Sequence, residues 1–251
     1  MPTPSEWPIR PVEPLKWLND RIEAGKPACY LRFNDGEAYS MFRMKRAPES
    51  NGEHVYSDRM RRSLLKTFVS ACCESVEDES VLVGSWWYED VYNEASVGYQ
   101  DFMVDAGNLH DEVRWGRGHI YHREEGNCPN EELLRLIRLL KDYRKVKVMI
   151  GNTMLEPVSK GLGMHEFGSI PRTNAESVVR VFTKSDLVIW CGGFPIKEWA
   201  WYGWVHKYNK IVIDAGSLFD GLVGNVSREW LKPGLPHSDF YYGEFRKAVL
   251  G

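Results

Sequence analysis

The sequence predicts a doubly wound α/β fold, with a mostly parallel sheet flanked by helices. Five short apolar runs alternate with segments of helical periodicity, and glycine follows each run. Continuous runs of Val, Ile and Leu are typical of strands buried on both faces, as in a parallel sheet. Strand alternating with helix is the pattern of this fold class. With 43 % apolar and 27 % charged residues, the composition is that of a globular protein and not of a disordered or fibrous one.

The predicted elements follow from these patterns in chain order. The strands are the apolar runs at 28–33, 81–83, 146–150, 187–191 and 211–213. The helices have apolar residues three and four positions apart, and two of them open with the capping sequences Ser-Asp and Asn-Glu-Glu. They are 14–24, 57–74, 130–143, 174–183 and 199–208.

We expect one domain over residues 1–251, with three additions. These are an N-terminal arm at 1–13, an aromatic-rich insertion at 86–127 that lies over the strand ends, and a C-terminal tail at 218–251. The arm has four prolines and lacks the apolar segment of a signal peptide. No stretch approaches the roughly 20 apolar residues of a membrane span. The five cysteines form no CxxC pair, which suits a reduced cytoplasm, bacterial or phage-infected, better than a zinc site.

Ligands of open α/β sheets bind outside the carboxyl ends of the strands, so residues just after each strand are candidates. Asp35 and Glu37 follow the first predicted strand and are separated by one glycine. Carboxylate oxygens in this spacing suit Mg²⁺ or Mn²⁺, and Arg32 just before them can bind phosphate through two hydrogen bonds. The alternative is a simple Asn-Asp-Gly turn with an acidic residue at a helix start.

Four segments resemble a known family. Residues 32–37, RFNDGE, resemble the RFGDGE motif of the GT-D glycosyltransferases. In the same order come IPRTNA at 170–175, an apolar strand ending in glycines at 187–193, and IDAGS at 213–217, so the resemblance covers about residues 28–220. The sequence departs from the family at three places: Asn34 replaces Gly, Ser217 replaces His, and GGFP at 192–195 replaces Gly-Pro-Thr-Ala.

The resemblance implies a Rossmann-like GT-D fold and a hexosyltransferase-like enzyme. Its donor would be a nucleotide-diphosphate sugar, with a UDP-sugar favoured, and its acceptor a hydroxyl of a glycan or glycoconjugate. Asp35 and Glu37 would serve Mn²⁺ or Mg²⁺. The residues expected to bind the donor lie at strand ends and at a helix start: Arg32, Asn34, Gly36, Gly151, Asn152, Thr173, Asn174, Gly192, Gly193 and Asp214.

Acceptor chemistry needs a base and a binding surface. His165 and Glu166 are candidate bases in a glycine-rich segment, 160–169, that we predict to be a loop. The rings of Trp86, Trp87 and Tyr88 can stack on a sugar or a base, although core packing is an alternative. Segment 43–66 has seven basic and three acidic residues, so Arg43 and Arg61 are candidates for a polyanionic acceptor or members of a solvated helix face.

Two other functions remain open at this point. A phage-type DNA glycosyltransferase acting on hydroxymethylated bases would use the basic segment and the aromatic insertion. The net charge of −3 weighs against a protein that binds nucleic acid over its whole surface. A non-catalytic nucleotide-binding protein would explain the departures from the family motifs.

Overall fold

The computed structural model describes residues 12–33, 37, 58–85, 113–117, 130–170, 180, 182–192, 196–205, 210–226, 231–235 and 238–251. Seven strands form a parallel sheet in the order β3-β2-β1-β7-β6-β4-β5. They are β1 Ala28–Phe33, β2 Val81–Ser85, β3 Trp115–Arg117, β4 Lys147–Asn152, β5 Glu166–Ile170, β6 Leu187–Cys191 and β7 Ile211–Asp214. The predicted α/β class is therefore confirmed.

Helices connect and flank these strands. They are α1 Pro14–Glu23, α2 Asp58–Glu77, α3 Asn130–Asp142, α4 Glu156–Gly161, α5 Ile196–Val205, α6 Ser238–Phe240 and α7 Arg246–Leu250. Two 3₁₀ turns, Thr153–Leu155 and Asp220–Val223, and a π-helical turn, Tyr241–Phe245, complete the described elements. Among the described helices, none is both long enough and apolar enough to cross a membrane.

All five predicted strands are present, with ends within two residues of the expected ones. Two strands were not predicted: β3, which lies inside the expected insertion, and β5, which begins inside the expected loop at 160–169. The loop prediction is wrong for residues 166–169, which are in β5, and for residues 160–161, which end α4. Of the predicted helix at 174–183, residues 180, 182 and 183 are helical, and the rest lies outside the described residues.

By the contacts within it, the chain divides into two compact units. Unit 1 comprises Met1–Pro14 and Tyr30–His119, and unit 2 comprises Leu15–Cys29 and Ile120–Gly251. In unit 1, a ring cluster packs between strands and α2. Phe33 meets Phe68 edge to face, with centroids 5.0 Å apart, and Phe68 stacks on the fully buried Trp115.

Strand β3 is fixed in unit 1 by contacts from both of its sides. The backbone N–H of Val12 donates to the carbonyl of Trp115. The guanidinium of Arg114 donates to the carbonyls of Ser75 and Asp78, at the end of α2. These bonds satisfy carbonyls that a helix end leaves without an internal partner. A three-residue strand is held in this way although its own apolar surface is small.

Unit 2 is built on β4–β7 and includes the C-terminal segment 218–251. The described part of that segment contains short helices and supplies core side chains, including Leu218, Tyr241 and Phe245, each at most 2 % exposed. The Tyr241 hydroxyl donates to the carbonyl of Leu218 at 2.6 Å. The predicted tail is therefore part of the core of unit 2.

In the same unit, the side chain of a buried lysine in β4 caps the C-terminus of α3. Lys147 is 3 % exposed, and its ammonium donates to the carbonyls of Leu140 and Lys141. Burial lowers the pKa of Lys147. Positive charge at a helix C-terminus is stabilising because it meets the unpaired carbonyls and the negative end of the helix dipole.

Candidate functional site

The carboxyl ends of β4 and β5 in unit 2 present neutral polar side chains. Asn152, the last residue of β4, is exposed, and its side-chain oxygen accepts a hydrogen bond from the Met154 N–H at 3.1 Å. Thr153 follows it, and its hydroxyl oxygen lies 3.5 Å from that of Ser169 in β5. The pairing of Gly151 with Ser169 in the parallel register brings these residues together. The arrangement offers hydroxyl and amide groups to a ligand at this edge.

Gly151 has a packing explanation. A Cβ at this position would lie 2.9 Å from the side chain of Leu155 and 3.4 Å from that of Cys191. The residue is buried, so its lack of a side chain allows the 3₁₀ turn to pack on β4. Gly192, directly after β6, is half-buried, and its carbonyl accepts a hydrogen bond from the indole N–H of Trp190 at 3.2 Å.

Asp214, the last residue of β7, forms a buried ion pair that sequence reasoning missed. Its carboxylate lies 3.2 Å from the ammonium of Lys197 in the first turn of α5, with side-chain exposures of 1 % and 2 %. Buried charges are stable only when paired. The geometry therefore gives Asp214 a structural role, joining the end of β7 to the start of α5, and its burial keeps it from the surface where a ribose would bind. The sequence could not have identified this pair, because many chains have an acidic residue at the end of a strand and a lysine near the start of a helix.

His165 and Glu166 lie at the amino ends of the strands, opposite to the carboxyl ends. Glu166 begins β5 and pairs with Val148 near the start of β4. The His165 N–H donates to the Lys147 carbonyl, and its Nδ1 accepts from the Lys147 N–H at 3.2 Å. At about 3.3 Å per residue, the length of β5 separates Glu166 from the carboxyl end of the strand by about 13 Å, and His165 lies about one residue further away. This position does not support either residue as a base for a site at the carboxyl ends.

Unit 1 contains the described part of the Asp35–Glu37 region. Arg32 is the penultimate residue of β1, and its side chain is half-buried, as are those of Glu37 and Arg61. The remaining predicted residues lie outside the described part of the chain: Asn34, Asp35, Gly36, Arg43, Trp86, Trp87, Tyr88, Thr173, Asn174 and Gly193.

Metal binding can be assessed only for the residues that the structure describes. Among them, no group of three or more His, Cys, Asp and Glu side chains is arranged to hold a metal ion. The carboxylate of Glu37 has the oxygen chemistry that Mg²⁺ and Mn²⁺ prefer, and Asp35 would provide a second such group. The expected metal pair thus stays a prediction from residue type and spacing.

Comparison with known proteins gave no match to a family model, to a curated protein or to a solved structure. The likeness to GT-D glycosyltransferases therefore depends on the four sequence segments alone.

Proposed function

We propose that the protein is a metal-dependent glycosyltransferase, which moves a sugar from a nucleotide-diphosphate sugar to a hydroxyl acceptor. The observation that carries this proposal is the position of the family-like segments relative to the strands. Arg32 is near the end of β1, Asp214 ends β7, and Gly192 follows β6 directly. These are the strand ends at which ligands bind in parallel α/β sheets.

The residue types of the Asp35 region suit the departure of a diphosphate. Breaking the bond between sugar and diphosphate leaves negative charge on the phosphate oxygens and positive charge on the sugar ring. A divalent cation held by Asp35 and Glu37 would stabilise that leaving group when bound. The guanidinium of Arg32 can hold a phosphate through two parallel hydrogen bonds. The chain thus offers both charge neutralisation and orientation to the diphosphate.

Considered by itself, unit 2 offers candidate ribose or sugar contacts in the neutral side chains of Asn152, Thr153 and Ser169. Their hydroxyl and amide groups can donate to and accept from sugar or ribose hydroxyls. Asp214 is given a positioning role in this proposal, since Lys197 already pairs with its carboxylate. His165 and Glu166 are left out because they lie at the amino ends of the strands.

The test is the binding and turnover of nucleotide sugars. Thermal stability would be measured with a panel of nucleoside diphosphates and nucleotide sugars, each with and without Mn²⁺. A ligand that binds only the folded state at a hundredfold excess over Kd adds about 2.7 kcal/mol of stability. We expect a shift with one diphosphate, larger with Mn²⁺, together with release of that diphosphate from its sugar.

Two variants locate the activity. Asp35→Asn should abolish the effect of Mn²⁺ and the turnover, and the Thr153→Ala/Ser169→Ala double variant should weaken donor binding. Glu166→Gln is the matched control and should behave like the unmodified protein. The absence of any nucleotide shift or turnover would refute the proposal. Nucleotide binding without sugar release would instead favour the non-catalytic alternative.

One observation favours DNA with hydroxymethylated bases as the acceptor. Arg59, Arg62 and Lys66 are exposed on α2, and residues 59–73 include no acidic residue. A local excess of cations attracts the phosphate backbone, and each phosphate contact adds about −0.9 to the slope of log affinity against log salt.

Binding of such DNA would be measured at several salt concentrations. Reversing the three charges to Glu should weaken binding and flatten the salt dependence. Lys145→Glu, an exposed charge reversal in unit 2, provides the control. If the unmodified protein did not bind DNA at low salt, this acceptor would be excluded.

A further inference from the structure

An open groove of about 640 Å³ lies within unit 2, and its lining includes none of the residues assigned to the donor. One wall is formed by Met154 and Pro157, which follow β4, and the floor by residues 221–224. The other wall is formed by Tyr242, Arg246 and Leu250 of the C-terminal helices. Sites for small molecules commonly have volumes of about 300–1,000 Å³. The groove is therefore large enough for a small organic ligand.

Its surface is mainly apolar. Met154 is 47 % exposed, so an unbranched apolar side chain faces water at the rim. On the floor, Gly221 is buried and a Cβ there would lie 2.8 Å from the Tyr241 ring, so this position has no room for a side chain. The Tyr242 hydroxyl donates to the Leu231 carbonyl. The hydroxyl hydrogen of Tyr242 is therefore bonded within the protein, which leaves the lining of the groove less polar.

The C-terminal wall is a rigid support. Tyr241, Phe245 and Val249 are spaced by four residues and are at most 1 % exposed, which anchors one side of these helices in the core. The adjacent side, one residue further along at each step, carries Tyr242, Arg246 and Leu250 into the groove. The π-helical turn Tyr241–Phe245 lies in this wall. Such turns are rare and occur frequently at functional sites.

Arg246 supplies the positive charge of the groove lining. Its side chain is exposed, and it forms no ion pair within the described part of the chain. The guanidinium group matches the geometry of carboxylate and phosphate with two parallel hydrogen bonds. A single cation beside an apolar surface is complementary to a molecule with one anionic end and an apolar body.

We propose that this groove binds a small amphipathic anion, with a carboxylate or phosphate at Arg246 and an aliphatic or aromatic body along Met154 and the floor. The groove shares no lining residue with the proposed donor site, but the two adjoin. Met154 lines the groove and lies in the same 3₁₀ turn as Thr153, and its N–H donates to the Asn152 side chain. The inference does not depend on glycosyltransferase activity.

The experiment is isothermal titration of the full chain with decanoate, decyl phosphate, decanol and acetate, below their aggregation concentrations. We expect saturable binding of the first two, weaker binding of decanol, and none of acetate. The comparison of decanoate with decyl phosphate decides between the two head groups. Arg246→Gln should weaken binding of the anions about tenfold, since a hydrogen bond to a charged group is lost, and should leave decanol unchanged.

Two further variants sharpen the test. Met154→Glu places a negative charge at the rim and should weaken anion binding without altering the core, because Met154 is exposed. Lys247→Gln removes the neighbouring exposed cation, which does not line the groove, and should have no effect. The proposal is overturned if Arg246→Gln and Lys247→Gln bind decanoate equally. It is also overturned if no anion binds and sedimentation shows self-association, which would assign the groove to a second copy of the chain.

Discussion

Removing one member of the buried pair between Lys197 and Asp214 should cost far more stability than the same change at an exposed pair. Asp214→Asn removes the carboxylate charge that lies 3.2 Å from the Lys197 ammonium, which is 2 % exposed. Removing one member of a buried ion pair costs about 3–5 kcal/mol, because the other charge stays desolvated. For a chain of this size, that loss lowers Tm by roughly 6–20 °C.

The assay is urea denaturation followed by tryptophan fluorescence, with Tm from calorimetry. The matched control is the exposed pair of Lys160 and Glu156, which are 2.9 Å apart and 75 % and 50 % exposed at their side chains. Exposed pairs contribute about 0–1 kcal/mol, so Glu156→Gln should change the free energy of unfolding little. Both substitutions change a carboxylate to an amide, one in a buried pair and the other in an exposed pair.

A double-mutant cycle separates the pair from the packing around it. The double variant Lys197→Met/Asp214→Asn should be more stable than the sum of the two single losses predicts, by about 1–3 kcal/mol, because it contains neither of the two buried charges. The reasoning is refuted if Asp214→Asn costs no more than Glu156→Gln. It is also refuted if the two single losses add fully in the double variant.

Other predictions concern cysteine chemistry and packing. Burial raises the pKa of the Cys72 thiol well above its usual value, so Cys73, which is exposed, should be alkylated at least tenfold faster at about pH 8; equal rates would contradict this. Because the unfolded thiol ionises first, the stability contributed by Cys72 should fall as the pH rises above about 9, and pH-dependent denaturation of Cys72→Ala should lack that fall. A Cβ at Gly161 would lie 2.1 Å from the Val249 carbonyl oxygen, so Gly161→Ala should cost about 1–3 kcal/mol. Gly243→Ala, where a Cβ meets nothing within 4 Å, should cost nothing in the same denaturation assay, and similar losses in both would be the contrary result.

The two strands that the sequence did not predict are the two edges of the sheet. β3 and β5 end the strand order, and each has one neighbouring strand. Strands between two others are buried on both faces and carry continuous apolar runs, as in Leu187–Cys191, where every residue is buried. The sequence of β5, EFGSI, has only two apolar residues and reads as a loop. The rule that found the central strands could not find an edge strand, because edge strands need less apolar surface.

Missing strand β5 also led to the prediction of His165 and Glu166 as bases. Reading 160–169 as a loop left His165 and Glu166 free to lie anywhere, including beside the other candidates. Because residues 166–170 form a parallel strand, the direction of that strand places both residues at the amino ends of the strands. Predicting a site from strand ends therefore requires that every strand near it be found. By contrast, Asn152 was placed correctly at a carboxyl end because β4 has an unmistakable apolar run.

Some candidate residues have a structural role that accounts for their residue type, and others do not. The second group gives the clearer test of function. Gly151 is explained by its contact with Leu155, and Asp214 by its ion pair with Lys197. A change at either would reduce stability and activity together, so loss of activity there would not identify a ligand contact. The hydroxyls of Thr153 and Ser169 lie at the edge, outside the core. Surface substitutions of this kind usually change stability by less than about 0.5 kcal/mol. Loss of nucleotide binding at these two positions would therefore report on recognition itself, which makes them a better test of the donor site than the residues that first drew attention.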